Sequence, residues 1–328
     1  MRLLIVGFGN VGQNLARLLS SERDETAKRV KDKIRVVGII DSKTQLIDSS
    51  GIDLRLSIKR KEQNGSVGRE RRADFKEVLE RCDPDAVIEL TNTNPVDGEP
   101  GFTHIREAIV SGRDVVTTNK GPIALYFQAL RELASRNNVR LKFSGTVGAG
   151  TPILEFGKMC ATGDDILSIK GILNSTSNYV LSLMETYNIS LNKAIVQARR
   201  LGYAEADSSM DISGKDSMLK LVIIVNYLLG KRITPADVKT EGIEKIGVER
   251  VRDALKRRKR IRLVASTEKG YRVCPEELEA LDPLCVSGPL ISLSLQCRYS
   301  GTKYIIGQGA GGIATAVAVL RDVISLMV

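Results

Sequence analysis

The feature that most constrains the fold is a glycine-rich segment at the start of the chain. Residues 2–6, RLLIV, form a short apolar run, and GFGNVG follows directly at residues 7–12. The run predicts a buried strand, and VGQNLARLLSSERDETAKRV at residues 11–30 predicts an amphipathic helix. A strand, a GxGxxG turn and a helix in this order are typical of a dinucleotide-binding βαβ unit.

The three glycines have distinct tasks in such a unit. Gly7 allows the tight turn, Gly9 lets a pyrophosphate approach the backbone, and Gly12 lets the helix pack on the strand. The N-terminus of the helix then faces the phosphates with its free N–H groups. We therefore predict a cofactor-binding segment made of Gly7, Phe8, Gly9, Asn10, Val11 and Gly12.

The end of the second predicted strand, IRVVGIID, should decide which dinucleotide binds. Asp41 stands where a carboxylate would accept a hydrogen bond from a ribose 2′-hydroxyl, which favours NAD. Lys43, together with Lys59 and Lys61 in the following loop, would instead hold the 2′-phosphate of NADP. The spacing from Gly12 to Asp41 exceeds the usual distance of about twenty residues, so the sequence leaves both cofactors open.

The first half of the chain alternates apolar runs with helical segments. The predicted strands are RLLIVGFG, IRVVGIID, AVIELTN, DVVTTNK and VRLKFSG, and YFQALRELASRNN is a predicted helix. This alternation predicts right-handed βαβ units and a mostly parallel sheet. After the glycine-dense segment 145–153 the pattern becomes α+β, with predicted helices at 191–201 and 214–229 and β-like runs at 260–266 and 290–299. The last residues, 307–328, predict a glycine turn followed by an apolar helix.

Charge and cysteine content exclude several classes of protein. The chain has 49 basic and 39 acidic residues in 328, a net charge of +10, with much of the excess in the runs 59–72 and 252–262. Neither run is interleaved with aromatic residues, so we expect surface charge and no nucleic-acid partner. The five cysteines are far apart without a CxxC pair, which argues against zinc and for a reducing, cytoplasmic setting. No apolar stretch of about twenty residues predicts a membrane span.

A lysine on an apolar helix is the strongest candidate for chemistry. In KDSMLKLVIIVNYLLG, Asp216 and Lys220 are one turn apart, and Lys220 shares its face with Ile223 and Tyr227. A weak ion pair at the helix entrance is the ordinary interpretation of this spacing. A lysine surrounded by apolar side chains is, however, suited to acid–base work.

A nicotinamide enzyme that oxidises an alcohol needs a group that takes the hydroxyl proton. The single histidine, His104, lies on an ordinary amphipathic helix pattern, where a structural role is expected. No cysteine has the sequence context of a nucleophile. The remaining candidates are Lys220 and Lys120, which ends the strand-like DVVTTNK at the edge where a parallel sheet binds its ligand.

Six motifs in order along the chain resemble one family of dehydrogenases. They are GFGNVG, TTNKGPIA, GTVGAGTPI, GILNSTSNYVL, ARRLGYAEADSSMDISGKDSMLK and GQGAGGIATAVAVLRDV. The chain is similar to the homoserine dehydrogenases, in the short form without a C-terminal regulatory domain. The resemblance implies reversible NAD(P)-dependent interconversion of L-homoserine and L-aspartate 4-semialdehyde, a step in threonine, methionine and isoleucine biosynthesis. It also implies no feedback inhibition by threonine through such a domain.

The resemblance implies a fold of two domains and a homodimer. A Rossmann-type parallel-sheet domain is expected at 1–143 and 306–328, with the C-terminal helix returning to it. An α+β domain for substrate binding and dimerisation is expected at 144–305.

The resemblance also implies a role for each matching residue. Lys220 would transfer the proton, assisted by Lys120. The substrate-binding residues would be Thr176, Tyr203, Glu205, Asp211 and Asp216, with Glu205 and Asp216 on the homoserine ammonium. Further cofactor-binding positions would be Asn92, Lys120, Gly202 and Gly311. A sodium ion would be held by the backbone carbonyls of Ser144, Val147, Ala149 and Thr151, although serine replaces the more frequent glutamate at the first position and Ser175 replaces a glycine in the substrate loop.

Three rival functions follow from the same sequence. A dehydrogenase that forms a thiohemiacetal would need an activated cysteine. A nucleic-acid-binding Rossmann protein would use the basic run 252–262 and show salt-sensitive binding without turnover. A dinucleotide-binding protein without activity would have lost the set Lys120, Asp216 and Lys220, which is intact here.

Overall fold

The computed structural model describes residues 1–21 and 33–328, which divide into two compact units. The first unit contains Met1–Thr146 and Gly311–Val328, and the second contains Val147–Ala310. Each unit has its own sheet, of seven strands in the first and six in the second. The divisions lie close to the predicted boundaries after residues 143 and 305.

The sheet of the first unit is mostly parallel. Its strands are β1 (Arg2–Val6), β2 (Arg35–Ile40), β3 (Thr44–Ile47), β4 (Glu70–Arg71), β5 (Ala86–Glu89), β6 (Asp114–Thr117) and β7 (Leu141–Lys142). They lie in the order β4-β3-β2-β1-β5-β6-β7. The strands β2, β1, β5, β6 and β7 pair in parallel, and β3 pairs antiparallel with both of its neighbours. This arrangement confirms the predicted Rossmann-type α/β fold.

Helices cover this sheet before the chain enters the second unit. They are α1 (Asn10–Leu19), α2 (Leu54–Asn64), α3 (Phe75–Cys82), α4 (Gly101–Val110) and α5 (Lys120–Arg136). On α1 the buried residues Leu15, Ala16 and Leu19 recur at helical spacing and join Ile5 and Ile88 of the strands in one apolar core.

The ends of several elements differ from the sequence prediction. The helix predicted at 11–30 ends at Leu19, and residues 22–30 of that prediction lie outside the described residues. The prediction that Lys120 ends a strand was wrong, because β6 ends at Thr117 and Lys120 begins α5. The side chain of Asn119 explains this boundary, since it accepts the N–H of Gly121 and so caps the helix.

The sheet of the second unit is mainly antiparallel. Its strands are β8 (Ile166–Ile172), β9 (Lys239–Thr240), β10 (Lys259–Ser266), β11 (Arg272–Glu279), β12 (Leu290–Cys297) and β13 (Gly301–Gln308), in the order β13-β12-β8-β10-β11-β9. The predicted runs at 260–266 and 290–299 are confirmed as β10 and β12. The sequence predicts no strand at the positions of β11 and β13; most residues of β11 are half-buried, and half-buried and exposed residues alternate along β13.

The helices of the second unit include the apolar helix predicted from the sequence. They are α6 (Ile153–Ala161), α7 (Ser175–Tyr187), α8 (Leu191–Arg200), α9 (Ser209–Ile212), α10 (Lys215–Leu228) and α11 (Val248–Lys256). The helices predicted at 191–201 and 214–229 are confirmed as α8 and α10. The residues from Leu219 to Val225 on α10 are all buried, so this helix lies inside its unit.

The last helix, α12 (Gly312–Ser325), belongs to the first unit. Its residues Val319 and Val323 lie in the same core as α1. Asp322 of α12 is buried and accepts both the backbone N–H (2.9 Å) and the hydroxyl (2.6 Å) of Ser144. These contacts account for the return of the C-terminal segment to the first sheet.

Candidate active site

The glycine segment forms an open cradle at the start of α1. Gly7 has φ +98°, and a Cβ there would lie 2.7 Å from the carbonyl carbon of Leu90. A Cβ on Gly12 would lie 2.4 Å from the carbonyl oxygen of Gly7, so the helix packs directly on the turn. Gly9 differs from both, because a Cβ there would meet no atom within 4 Å. The backbone is therefore tightly packed on one side and open at Gly9, as a bound pyrophosphate requires.

The other residues of this segment take ordinary structural places. Phe8 is buried in the core, and α1 begins at Asn10 without a side-chain cap. The side chain of Asn10 accepts a hydrogen bond from Asn14 at 2.9 Å. Val11 is partly buried against the core. The uncapped helix start leaves backbone N–H groups for an anionic ligand.

Asp41 lies beside this cradle, but its carboxylate is turned into its own loop. One oxygen accepts the backbone N–H groups of Lys43 and Thr44, each at 2.7 Å. The other accepts from Lys61 Nζ at 2.8 Å and from the N–H of Val67 at 2.9 Å. Burial acts to raise the pKa of Asp41. The hydrogen bond and charge of Lys61, together with the backbone N–H groups of Thr44 and Lys43, nevertheless hold this pKa below its ordinary value. Both carboxylate oxygens thus already have donors within the protein.

The lysines predicted to meet a 2′-phosphate differ in their surroundings. Lys43 and Lys59 are exposed. Lys61 is partly buried and bridges Asp41 to the carbonyl of Gly65 at 3.0 Å. The positive charge of Lys61 therefore neutralises the carboxylate that would repel a phosphate.

Two loops at the carboxyl ends of β5 and β6 contain predicted cofactor residues. Asn92 follows β5, and its carbonyl accepts the side-chain amide of Asn119 at 3.2 Å. The backbone N–H of Lys120 points to Thr93 Oγ1 at 3.4 Å. The structure therefore brings Asn92 and Lys120 together in the first unit. Gly311 lies in the same unit, precedes α12 and has φ +120°.

Lys220 and Asp216 form a close pair inside the second unit. Lys220 Nζ lies 2.6 Å from an Asp216 oxygen, and the two side chains are 9% and 11% exposed. Lys220 also donates to the carbonyl of Leu173 at 2.8 Å. A pair this well buried differs from a solvated ion pair, because the surroundings hold both charges in one place.

The side chain of Asn174 joins this pair to a second carboxylate. Its amide nitrogen donates to Asp211 at 2.5 Å and to Asp216 at 2.8 Å. Its oxygen accepts the N–H of Ser177 at 2.7 Å and so caps α7. Sequence reasoning missed Asn174, because the helix α7 that it caps was not predicted; an asparagine directly before a helix is a signal for a cap.

The remaining predicted substrate residues lie along one loop and the start of α7. The hydroxyl of Thr176 donates to the carbonyl of Tyr203 at 3.2 Å. The ring of Tyr203 packs on that of Tyr179, with centroids 4.2 Å apart. Glu205 and Gly202 are exposed in the same loop, and Gly202 has φ +77°. The structure thus brings Thr176 and Tyr203 together and leaves Glu205 at the surface.

The four residues of the predicted sodium site lie at the end of the first unit and the start of the second. Ser144 is fixed by Asp322, as described above, and Val147 is buried. Ala149 has φ +50°, and the hydroxyl of Thr151 donates to the carbonyl of Gln308 at 2.9 Å. Residues 1–21 and 33–328 contain no cluster of three or more His, Cys, Asp or Glu side chains suited to a metal. A site made of carbonyls would suit a hard cation, and it stays a prediction.

The cysteines do not form the reactive centre that the thiohemiacetal rival needs. All five are free, and Cys82 and Cys297 are buried. Burial raises the pKa of the Cys82 thiol to about 11 and also raises the pKa values of Cys160, Cys274 and Cys285. A raised pKa disfavours the thiolate, which is the nucleophile.

The basic run 252–262 is largely neutralised within its own unit. Its ion pairs are Lys256–Asp253, Arg257–Glu277, Lys259–Glu279, Arg260–Glu185 and Arg262–Glu185. Arg262 is fully buried, so it does not face solvent. Much of the charge of the run is therefore paired within the unit, and the absence of nucleic-acid binding stays a prediction. Within the part of the chain that the structure describes, no helix is long and apolar enough to cross a bilayer.

Known proteins similar to this chain point to one family. Residues 7–144 match the family model of the homoserine dehydrogenase NAD-binding domain, and residues 152–324 match that of homoserine dehydrogenase. The chain is 37% identical to homoserine dehydrogenase of Methanocaldococcus jannaschii, over 99% of this chain and 98% of the relative. It is 34% identical to NAD(+)-dependent homoserine dehydrogenase of Pseudomonas canavaninivorans, over 99% and 96%.

A solved structure gives the same result. A hyperthermophilic archaeal homoserine dehydrogenase in complex with NADPH superposes with a TM-score of 0.85 at 28% identity, covering 100% of this chain and 98% of that one. The chain therefore belongs to the homoserine dehydrogenase family and is an NAD(P)-dependent oxidoreductase.

Proposed function

We propose that the second unit binds homoserine and that Lys220 moves the proton of its hydroxyl group. The observation that carries this proposal is the buried Lys220–Asp216 pair, held at 2.6 Å within an apolar helix. Bound NAD(P) would accept the hydride from the carbinol carbon. In the same direction neutral Lys220 takes the hydroxyl proton, and in reverse charged Lys220 protonates the developing alkoxide.

The substrate ammonium would be bound by carboxylates. Asp211 and Asp216 are held together by the amide of Asn174, which gives two negative groups close to Lys220. Glu205 is exposed and free to turn toward a ligand. Thr176 and Tyr203 shape the neighbouring loop. Two carboxylates match a cation such as the homoserine ammonium by charge and by hydrogen bonding.

The first unit would bind the dinucleotide. The open backbone at Gly9 and the uncapped start of α1 would take the pyrophosphate, and Asn92, Gly311 and Lys120 would meet the rest of the cofactor. Lys120 would also supply a second positive charge to the reaction, as the family resemblance implies, and Gly202 would approach the nicotinamide.

We further propose that NADP is accepted at least as well as NAD. The carboxylate of Asp41, which would bind the ribose hydroxyls of NAD, is occupied by Lys61 and backbone donors. Its charge is neutralised, and Lys43 is exposed beside it. These features reduce the repulsion that normally excludes a 2′-phosphate.

We also propose how the chain assembles and where it is located. A homodimer through the sheet of the second unit is supported by Tyr304 and Ile306, which are 41% and 47% exposed on the same face of β13. A cytoplasmic location is supported by the five free cysteines. A sodium ion at Ser144, Val147, Ala149 and Thr151 remains part of the proposal.

One assay tests the function and the cofactor choice together. Purified protein is mixed with L-homoserine and either NAD or NADP at alkaline pH, and absorbance is followed at the reduced-nicotinamide band. We expect homoserine-dependent reduction with NADP, and with NAD at equal or lower catalytic efficiency. No homoserine-dependent change with either cofactor, in protein that binds reduced dinucleotide, would refute the function. A strong preference for NAD would refute the proposed role of Asp41 alone.

A further inference from the structure

A buried carboxylate of the first unit, Glu89, takes no part in the proposed function. Glu89 is the last residue of β5 and is fully buried. A buried carboxylate is costly unless donors within the protein replace its water. The hydrogen bonds of Glu89 therefore indicate its role.

Its hydrogen bonds go to the two loops at this edge of the sheet. One oxygen accepts the backbone N–H of Thr91 at 3.1 Å and also the Thr91 hydroxyl. The other accepts the hydroxyl of Thr117 at 3.1 Å. Thr91 lies in the loop after β5, and Thr117 is the last residue of β6. Glu89 thus joins the ends of two neighbouring strands.

The two threonines connect Glu89 to Asn119. The hydroxyl of Thr117 accepts the backbone N–H of Asn119 at 3.0 Å. The side-chain amide of Asn119 donates to the hydroxyl of Thr91 and to the carbonyl of Asn92, each at 3.2 Å. Asn119 also caps α5, which begins at Lys120. The network therefore ends at Asn92 and Lys120, the two residues proposed to meet the cofactor.

The same carboxylate lies next to the glycine cradle. Glu89 pairs in register with Val6, the residue directly before Gly7. The carbonyl of Leu90, which follows Glu89, leaves room only for a glycine at position 7. The loop that begins at Glu89 is therefore packed against the segment that would bind the pyrophosphate.

A histidine completes the surroundings of Glu89. His104 is buried, and its Nδ1 lies 3.6 Å from a Glu89 oxygen. Its Nε2 lies 2.8 Å from Arg72, which has only donors, so Nε2 accepts and Nδ1 bears the hydrogen that faces Glu89. The positive end of the imidazole is thus directed at the carboxylate. This contact agrees with the structural role predicted for the single histidine.

We propose that Glu89 is a positioning residue of the dehydrogenase. It touches no reactant, and it holds the loops after β5 and β6 in the arrangement that binds the nicotinamide dinucleotide and orients Lys120. The inference rests on the proposed function, because it assigns Glu89 to that same cofactor site.

Three variants and one control test the proposal. Glu89→Ala removes the acceptors, and Thr117→Val removes the link to Asn119 with little change in shape. Glu89→Gln keeps one accepting oxygen, and the Thr117 hydroxyl is able to accept from the new amide. Asp114→Ala is the control, because Asp114 binds Arg140 at the opposite end of β6. Each protein is titrated with NADPH by fluorescence, assayed with homoserine, and unfolded thermally.

We expect Glu89→Ala and Thr117→Val to raise the dissociation constant of NADPH and lower kcat, each by about tenfold to a hundredfold, since small displacements of binding groups have effects of this size. Glu89→Gln should recover most of the loss, and Asp114→Ala should lower only Tm. The proposal is overturned if Thr117→Val and any folded Glu89→Ala protein bind NADPH like the wild type and change only Tm. Absence of homoserine turnover in the wild type would instead refute the proposed function.

Discussion

The cofactor cradle of the first unit and the buried cluster around Lys220 in the second unit are built in different ways. The cradle is local: Gly7, Gly9 and Gly12 lie within six residues, and its function depends on the backbone. The cluster around Lys220 joins Leu173 and Asn174 to Asp216 and Lys220, which lie more than forty residues further along the chain. Its function depends on side chains that long-range packing brings together. A local backbone site is visible in the sequence, whereas a cluster of distant side chains is visible only in part.

The largest expected effect is at Lys220. Replacing Lys220 by alanine removes the proposed proton acceptor, and general acid–base catalysis is worth about a hundred- to ten-thousand-fold. We expect kcat to fall by this factor while the dissociation constant of NADPH stays unchanged, because the cradle lies in the other unit. Lys220→Arg should not restore the rate, since a guanidinium does not release its proton near neutral pH. Steady-state kinetics and a fluorescence titration check both points.

A smaller effect on substrate binding is expected at Asn174. Asn174→Asp keeps an oxygen that caps α7 but loses the donor to Asp211 and Asp216 and adds a third negative charge. A hydrogen bond to a charged group is worth about 1.5–3 kcal/mol, so the KM for homoserine should rise about tenfold to a hundredfold. The midpoint of thermal unfolding serves as the control for the cap. An unchanged KM would mean that Asn174 only caps the helix.

The backbone site gives a contrasting prediction at Gly9. A Cβ added there meets no atom of the protein within 4 Å, and a valine side chain would occupy the space that the pyrophosphate needs. Gly9→Val should therefore leave Tm unchanged and weaken NADPH binding at least about tenfold. Gly247→Val is the matched control, because Gly247 precedes α11 with a similar φ and without a side-chain cap. Equal affinity of the two variants for NADPH would show that the cradle does not bind the pyrophosphate.

The smallest expected effect concerns Asp41 and pH. The pKa of Asp41 is lowered in the folded protein, so the ionised carboxylate stabilises the fold at pH values above its ordinary pKa of about 3.9. This contribution is lost as pH falls from that value through the lowered pKa. The free energy of unfolding should fall more steeply in acid for the wild type than for Asp41→Asn. Denaturant titrations at several pH values compare the two slopes, and equal slopes would contradict the pairing with Lys61.

The sequence predicts the parallel sheet and the apolar helix well because both leave regular patterns. The strand β13 was not predicted because one of its sides is only half-buried and the other is exposed. Apolar and polar residues therefore do not alternate along its sequence, GTKYIIGQ. Lys120 was assigned to a strand because Asn119 can be recognised as a helix cap only when the end of β6 at Thr117 is known. Glu89 and Asn174 could not be recognised by spacing, since their partners lie on other elements. Their importance comes from burial, which depends on the whole fold.

The most direct test of the account is the pH dependence of homoserine oxidation in the wild type and in Lys220→Ala, with NADPH affinity measured for both. If Lys220 takes the proton, the wild-type rate rises with pH, and Lys220→Ala loses that rise together with most of its kcat. Its affinity for NADPH stays at the wild-type value. If the two proteins show the same rise and similar rates, Lys220 belongs to a structural ion pair with Asp216 and the central claim is wrong.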